Sequence, residues 1–134
     1  MTLRNELAVL TVKAKNYIRS GQISMYSETL KEMADLFQKS GHLNNQTKVL
    51  LLAFYIDLSG FGRAPFIDHN VIDALRAPVQ CGSVDVSWLE CTFSECIQPD
   101  MISQHVLGLK DCWYLLRLCI EGKIEQAEYI LTKI

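Results

Sequence analysis

Apolar positions recur along this chain at steps of three and four, with polar positions between them. Leu3, Leu7, Leu10, Ala14 and Tyr17 share one face only if the segment is helical. Arg4, Lys13, Lys15 and Arg19 fall mostly on the other side. Gly21 ends this first predicted helix. Ser24 or Ser27 is placed to cap a second, with the stripe Tyr26, Leu30, Met33 and Phe37. Glu28, Lys31, Glu32 and Asp35 lie outside that stripe, and Gly41 ends the helix.

The pattern changes at Val49–Ile56, an unbroken apolar run with one charge, Asp57, near its end. A helix that is apolar on every side has no solvent face and must be covered all round. Asn44 or Asn45 at its start and Ser59-Gly60 at its end favour helix over buried strand. Residues 46–59 are therefore the predicted central helix. A loop punctuated by Gly60, Gly62 and Pro65 follows. Asp68 then caps a helix with Val71, Ile72 and Leu75 inward, closed by Pro78. Val84, Val86 and Trp88 alternate, a weak strand signal within residues 79–88. Ser87-Trp-Leu-Glu90 matches a capping box for a helix lined by Leu89, Phe93 and Cys96. Pro99-Asp100 starts a further helix with Met101, Ile102, Val106 and Leu107. Cys112, Leu115, Leu116 and Cys119 line the next, and Ile124, Ala127, Leu131 and Ile134 the last.

The expected fold is all-α: about eight short helices in one domain, residues 1–134, with short connections that make neighbours antiparallel. Gly21-Gln-Ile23, Gly41-His-Leu43 and Gly122-Lys-Ile124 share a form suited to helical hairpins. The glycine takes the left-handed turn and the aliphatic re-enters the core. Gly122-Lys-Ile-Glu-Gln-Ala127 resembles the hairpin turn of tetratricopeptide-type repeats. The fixed 34-residue period of those repeats is absent, so the resemblance implies an α-α superhelical packing style.

Composition narrows the function classes. About half the residues are apolar, enough for a core, while no apolar run reaches the roughly 20 residues of a membrane span. The start lacks a signal-peptide pattern, and five cysteines, an odd number, fit free thiols; both point to the cytoplasm. Cys91 and Cys96, five apart, and Cys112 and Cys119, seven apart, lack the close pairing of structural zinc sites, even with His105. The expectation for the cysteines is buried thiols, with no metal and no cofactor. Asp68-His69 is no acid–base pair, since adjacent helical residues do not face each other. Gly60-Phe-Gly62-Arg63 lacks the rest of a nucleotide fingerprint. No catalytic residue is assigned, and the chain is not expected to be an enzyme.

The charges are unevenly spread. Residues 1–48 carry seven Lys or Arg against four acidic residues, and residues 64–108 carry Arg76 alone against six. No groove-reading motif accompanies the basic part and the pI is about 5.9, so nucleic acid is not the expected partner. The acidic stretch is interleaved with Phe66, Trp88 and Phe93. Aromatic anchors with an acidic rim suit a basic protein partner. Asp85, Trp88, Glu90, Glu95 and Asp100 are the candidate partner-binding residues. In size, composition and patch the chain resembles the all-α immunity proteins of bacterial toxin–immunity pairs, including those of contact-dependent growth inhibition. That resemblance implies capture of a basic, often nuclease, toxin domain. The other binding class is a helical-repeat adaptor or secretion chaperone that grips a peptide in a concave groove.

Overall fold

The computed structural model describes residues 2–59, 64–96 and 109–133, with the side chains of residues 59, 92–96 and 109 outside that description. Within them the chain is all-helical: α1 Leu3–Arg19, α2 Ile23–Lys39, α3 Leu43–Ser59, α4 His69–Gln80, α5 Val86–Cys96, α6 Leu109–Ile120 and α7 Ile124–Leu131. The helix expected over residues 99–107 lies outside the described residues.

The first three helices are seventeen residues each and begin at residues 3, 23 and 43. Their two turns are built alike. Gly21 and Gly41 have φ of 76° and 79°. The Gly21 N–H donates to Ile18 O and the Gln22 N–H to Tyr17 O, and Gly41 and His42 repeat this on Gln38 and Phe37. Gly122 and Lys123 do the same at the α6–α7 turn, donating to Cys119 and Leu118. These are Schellman closures, which satisfy the last carbonyls of the helix that ends. The aliphatic that follows does not always return to the core. Ile23 and Ile124 pack against it, but Leu43 is 62% exposed, contrary to the sequence expectation.

Leu50 to Leu58 forms an unbroken buried run through α3. The helix packs against α2 on one side and against α4 and α5 on others, which is the all-round cover its composition requires. It starts at Leu43, earlier than expected, because the Gly41 turn launches it directly; Asn44 and Asn45 are inside the helix. Likewise α2 starts at Ile23, with Gln22 at its N-cap and no side-chain cap. Ser27 is buried in the body of α2 instead.

Two further boundaries differ from the sequence reading. Pro78 lies inside α4, which continues to Gln80. Val79 is buried there, and the Cys81, Gly82 and Val84 amides donate to the carbonyls of Ala77, Val79 and Pro78. Core contact and closed carbonyls offset the proline's missing donor. The capping box at Ser87 is not used: α5 begins at Val86, and the Trp88 N–H donates to Asp85 Oδ1 at 2.8 Å. Asp85 is the cap. Residues 79–88 contain no strand.

The stripes of α2, α4 and α6 are buried as the spacing predicts, except Phe37 of α2, which is only partly buried against the core. Tyr26, Leu30, Met33, Val71, Ile72, Leu75, Cys112, Leu115, Leu116 and Cys119 all belong to the core. Ala127 brings α7 close to α6, the role its small side chain implies. In contrast α1 is a lightly held edge helix. Only Ala14 of its stripe is buried, Leu7, Leu10 and Tyr17 are partly covered, and Val9 and Val12 face solvent. No helix among the described residues is long and apolar enough to cross a membrane.

Candidate functional site

Of the five candidates read from the acidic stretch, Asp85, Trp88 and Glu90 have described side chains, all at or near the start of α5. Asp85 and Glu90 are exposed, and the Asp85 carboxylate is engaged in capping α5. Trp88 is half-buried and packed against the core. Two positions apart on one helix, Trp88 and Glu90 do not face each other. The side chain of Glu95 and all of Asp100 lie outside the described residues, as does the side chain of Phe93. Phe66 is half-buried beneath the Lys31 ammonium, which is 5.2 Å from its ring centre.

The structure concentrates acidic groups elsewhere, on α2. Glu28, Glu32 and Asp35 follow at positions i, i+4 and i+7, which one helical face presents as a ridge. Tyr26, Leu30 and Met33 orient that face outward, because they fill the α3 side of the same helix. A groove runs along each flank of the ridge. On the α1 side Val9, Leu10 and Leu36 line a space of about 380 Å³, with Glu6, Glu32, Asp35 and Lys39 around it. On the α4 side a more polar groove of about 440 Å³ is lined by Glu28, Glu32, Asp35, Gln38, Gln46, Asp68 and Asn70, among others. Glu32 and Asp35 border both.

Lys31, between these acids in sequence, is withdrawn from the ridge. Its ammonium lies 2.9 Å from Asp57 Oδ2 and 2.8 Å from Asp68 Oδ2, with Glu28 farther at 3.7 Å. The Ser27 hydroxyl donates to Asp57 Oδ1 at 2.8 Å. Asp57 is 1% and Lys31 17% exposed at the side chain. Burial disfavours the Lys31 charge, but the bonds to Asp68 and Asp57 outweigh it and raise its pKa above the ordinary lysine value. Burial likewise opposes ionised Asp68. Lys31 and the Asn70 and Val71 amides reverse that and hold its carboxyl below the usual carboxylate value. The network ties α2, α3 and the start of α4 together. Spacing alone places Lys31 on a solvated face; the single charge in the apolar α3 run was the signal that a buried cation had to answer it.

Among the described residues, Asp68 and His69 sit at the start of α4. Asp68 caps α4 through the Asn70 N–H and pairs with Lys31, while His69 is exposed beside it. No group of three or more His, Cys, Asp or Glu side chains is arranged to hold a metal ion among the described residues. Cys112 and Cys119 are buried, and burial pushes both thiols up, Cys119 to about 11. The expectation of buried thiols fails for Cys81 and Cys91, which are exposed. Cys81 lies just past the end of α4 rather than on an inward stripe, and its Sγ is 3.0 Å from Ser83 Oγ.

No protein-family model matches the chain, and neither the curated proteins nor the solved structures contain a significant match to it.

Proposed function

We propose that this protein is a binding protein that captures a basic partner protein, with the acidic ridge of α2 as its docking face. Neutralisation of a basic toxin domain, as by the immunity proteins of toxin–immunity pairs, is the form of that role favoured by its size and helical build. The supporting observation is the fate of Lys31. The cation set among Glu28, Glu32 and Asp35 is directed inward to Asp57 and Asp68 and reaches only Glu28 of the three, at 3.7 Å, so Glu32 and Asp35 lie outside its ion pairs. Carboxylates on an exposed ridge accelerate encounter with a cationic surface and disfavour anionic ones. Exposed apolar groups beside the ridge, Val9 above all, supply surface that a charged rim alone would not.

The test is capture from the native host by tagged protein, comparing wild type with Glu32→Lys/Asp35→Lys. Both positions are exposed, so thermal melts of the two proteins should agree closely. A basic partner retained by wild type at low salt, lost at high salt and lost in the variant is the expected result. Equal retention by both proteins would exclude the ridge. Glu90→Lys/Glu95→Lys, run alongside, tests the α5 surface separately; loss there alone would move the docking face to α5.

A further inference from the structure

Resting on that reading, we infer that the furrow between α1 and α2 receives an amphipathic helix of the partner. Its apolar stripe seats on Val9, Leu10 and Leu36, and its Lys or Arg side chains meet Glu6, Glu32 and Asp35. The furrow is built from matching faces of two antiparallel helices. Glu6, Val9 and Leu10 are i, i+3 and i+4 on α1; Glu32, Asp35, Leu36 and Lys39 are i, i+3, i+4 and i+7 on α2. Each helix therefore contributes an apolar rail with acidic positions beside it. Leu36 stands apart from the stripe of Tyr26, Leu30 and Met33 that packs α2 into the core, and Val9 is 46% exposed. These side chains leave apolar surface open that the fold itself does not cover.

The shape of the occupant follows from the walls. Both are helices, whose backbone amides are bonded internally, so an extended peptide would find no sheet edge to join. A third helix instead meets a two-helix furrow through side chains at helical spacing, ridge into groove. Its charge follows from the border, where three carboxylates stand against the single ammonium of Lys39. Cations flanking an apolar stripe complement that border, whereas an acidic helix would be repelled by it.

The test uses the full chain and synthetic peptides of about 18 residues, roughly five helical turns. One peptide sets Leu at i, i+3 and i+7 among Lys and Ala. The second has the same composition shuffled so that the leucines encircle the helix. The third keeps the pattern with Gln in place of Lys. Fluorescence anisotropy should show the patterned basic peptide binding at least about tenfold more tightly than either other. Val9→Asn and Glu32→Gln/Asp35→Asn should each weaken it by a similar factor, and salt should weaken it further. Equal binding of patterned and shuffled basic peptides would overturn the helix inference while leaving the acidic ridge in place. Equal binding of the Gln peptide would overturn the charge requirement. Binding of none of the three, or a self-association of the chain that Val9→Asn abolishes, would also overturn it; the latter would make a second copy the occupant. Partner capture insensitive to Glu32→Lys/Asp35→Lys, by contrast, removes the underlying reading.

Discussion

The Lys31 ammonium lies 2.9 Å from Asp57, a carboxylate buried within the apolar run of α3. A buried pair of this kind contributes little net stability, because desolvation cancels much of the attraction, yet removing one partner strands the other. Lys31→Met and Asp57→Leu should therefore each destabilise the fold by about 3 kcal/mol or more. The double variant should recover a large part of that loss. Urea unfolding of the four proteins gives the coupling directly; additive losses would mean the two residues act independently.

Stability should also depend on pH at two edges set by this network. The carboxyl of Asp68 is depressed in the folded state. The unfolded chain therefore binds more protons as pH falls below the usual carboxylate value of about 3.9. Its contribution is present above that value and lost as pH falls through the folded pKa. Lys31 is raised, so its contribution is present below the ordinary lysine value and lost as pH rises through the folded one. Thermal melts of wild type should show both edges. Asp68→Asn should blunt the acidic one, and an unchanged acid limb would exclude Asp68 as its source.

Asp85 and Ser87 make opposed predictions for the start of α5. The Asp85 carboxylate accepts the Trp88 N–H, so Asp85→Ala should cost about 1 kcal/mol, the usual loss for a capping side chain. Ser87→Ala should cost only a few tenths, as an exposed position inside the first turn. The reverse order, read by chemical denaturation, would restore the capping box.

The cysteines divide by burial. Cys112 and Cys119 are buried, with both thiols held up in pKa; the thiolate is the reactive form. Cys81 is exposed and its pKa is lowered by the bond with Ser83. Alkylation of the native protein followed by peptide mapping should label Cys81 first. Cys112 and Cys119 should be labelled only at the rate of unfolding. Early labelling of Cys112 would contradict its place in the core.

Much of the architecture was legible in the residues themselves, for local reasons. Apolar spacing of three and four marks a helical face wherever the face is buried, and Leu30, Ile72 and Leu115 lie where it puts them. Gly21, Gly41 and Gly122 mark turns because only a left-handed residue closes a helix that way, and an all-apolar run such as Leu50–Ile56 can only be central. Helix starts were less legible. Ser87 and Asp85 are both chemically able to cap α5, and packing of the flanking chain chooses between them.

The distribution of charge was decided by tertiary structure alone. Summed along the chain, residues 1–48 read as basic, and the acids of α2 vanish into that balance. Folding separates them: α3 and the start of α4 draw Lys31 inward through Asp57 and Asp68, while Glu32 and Asp35 stay out beside the open flank of α1. Helical period says which residues share a face. Whether that face meets water or a buried carboxylate depends on Asp57, a neighbour on a different helix, and no local pattern encodes it.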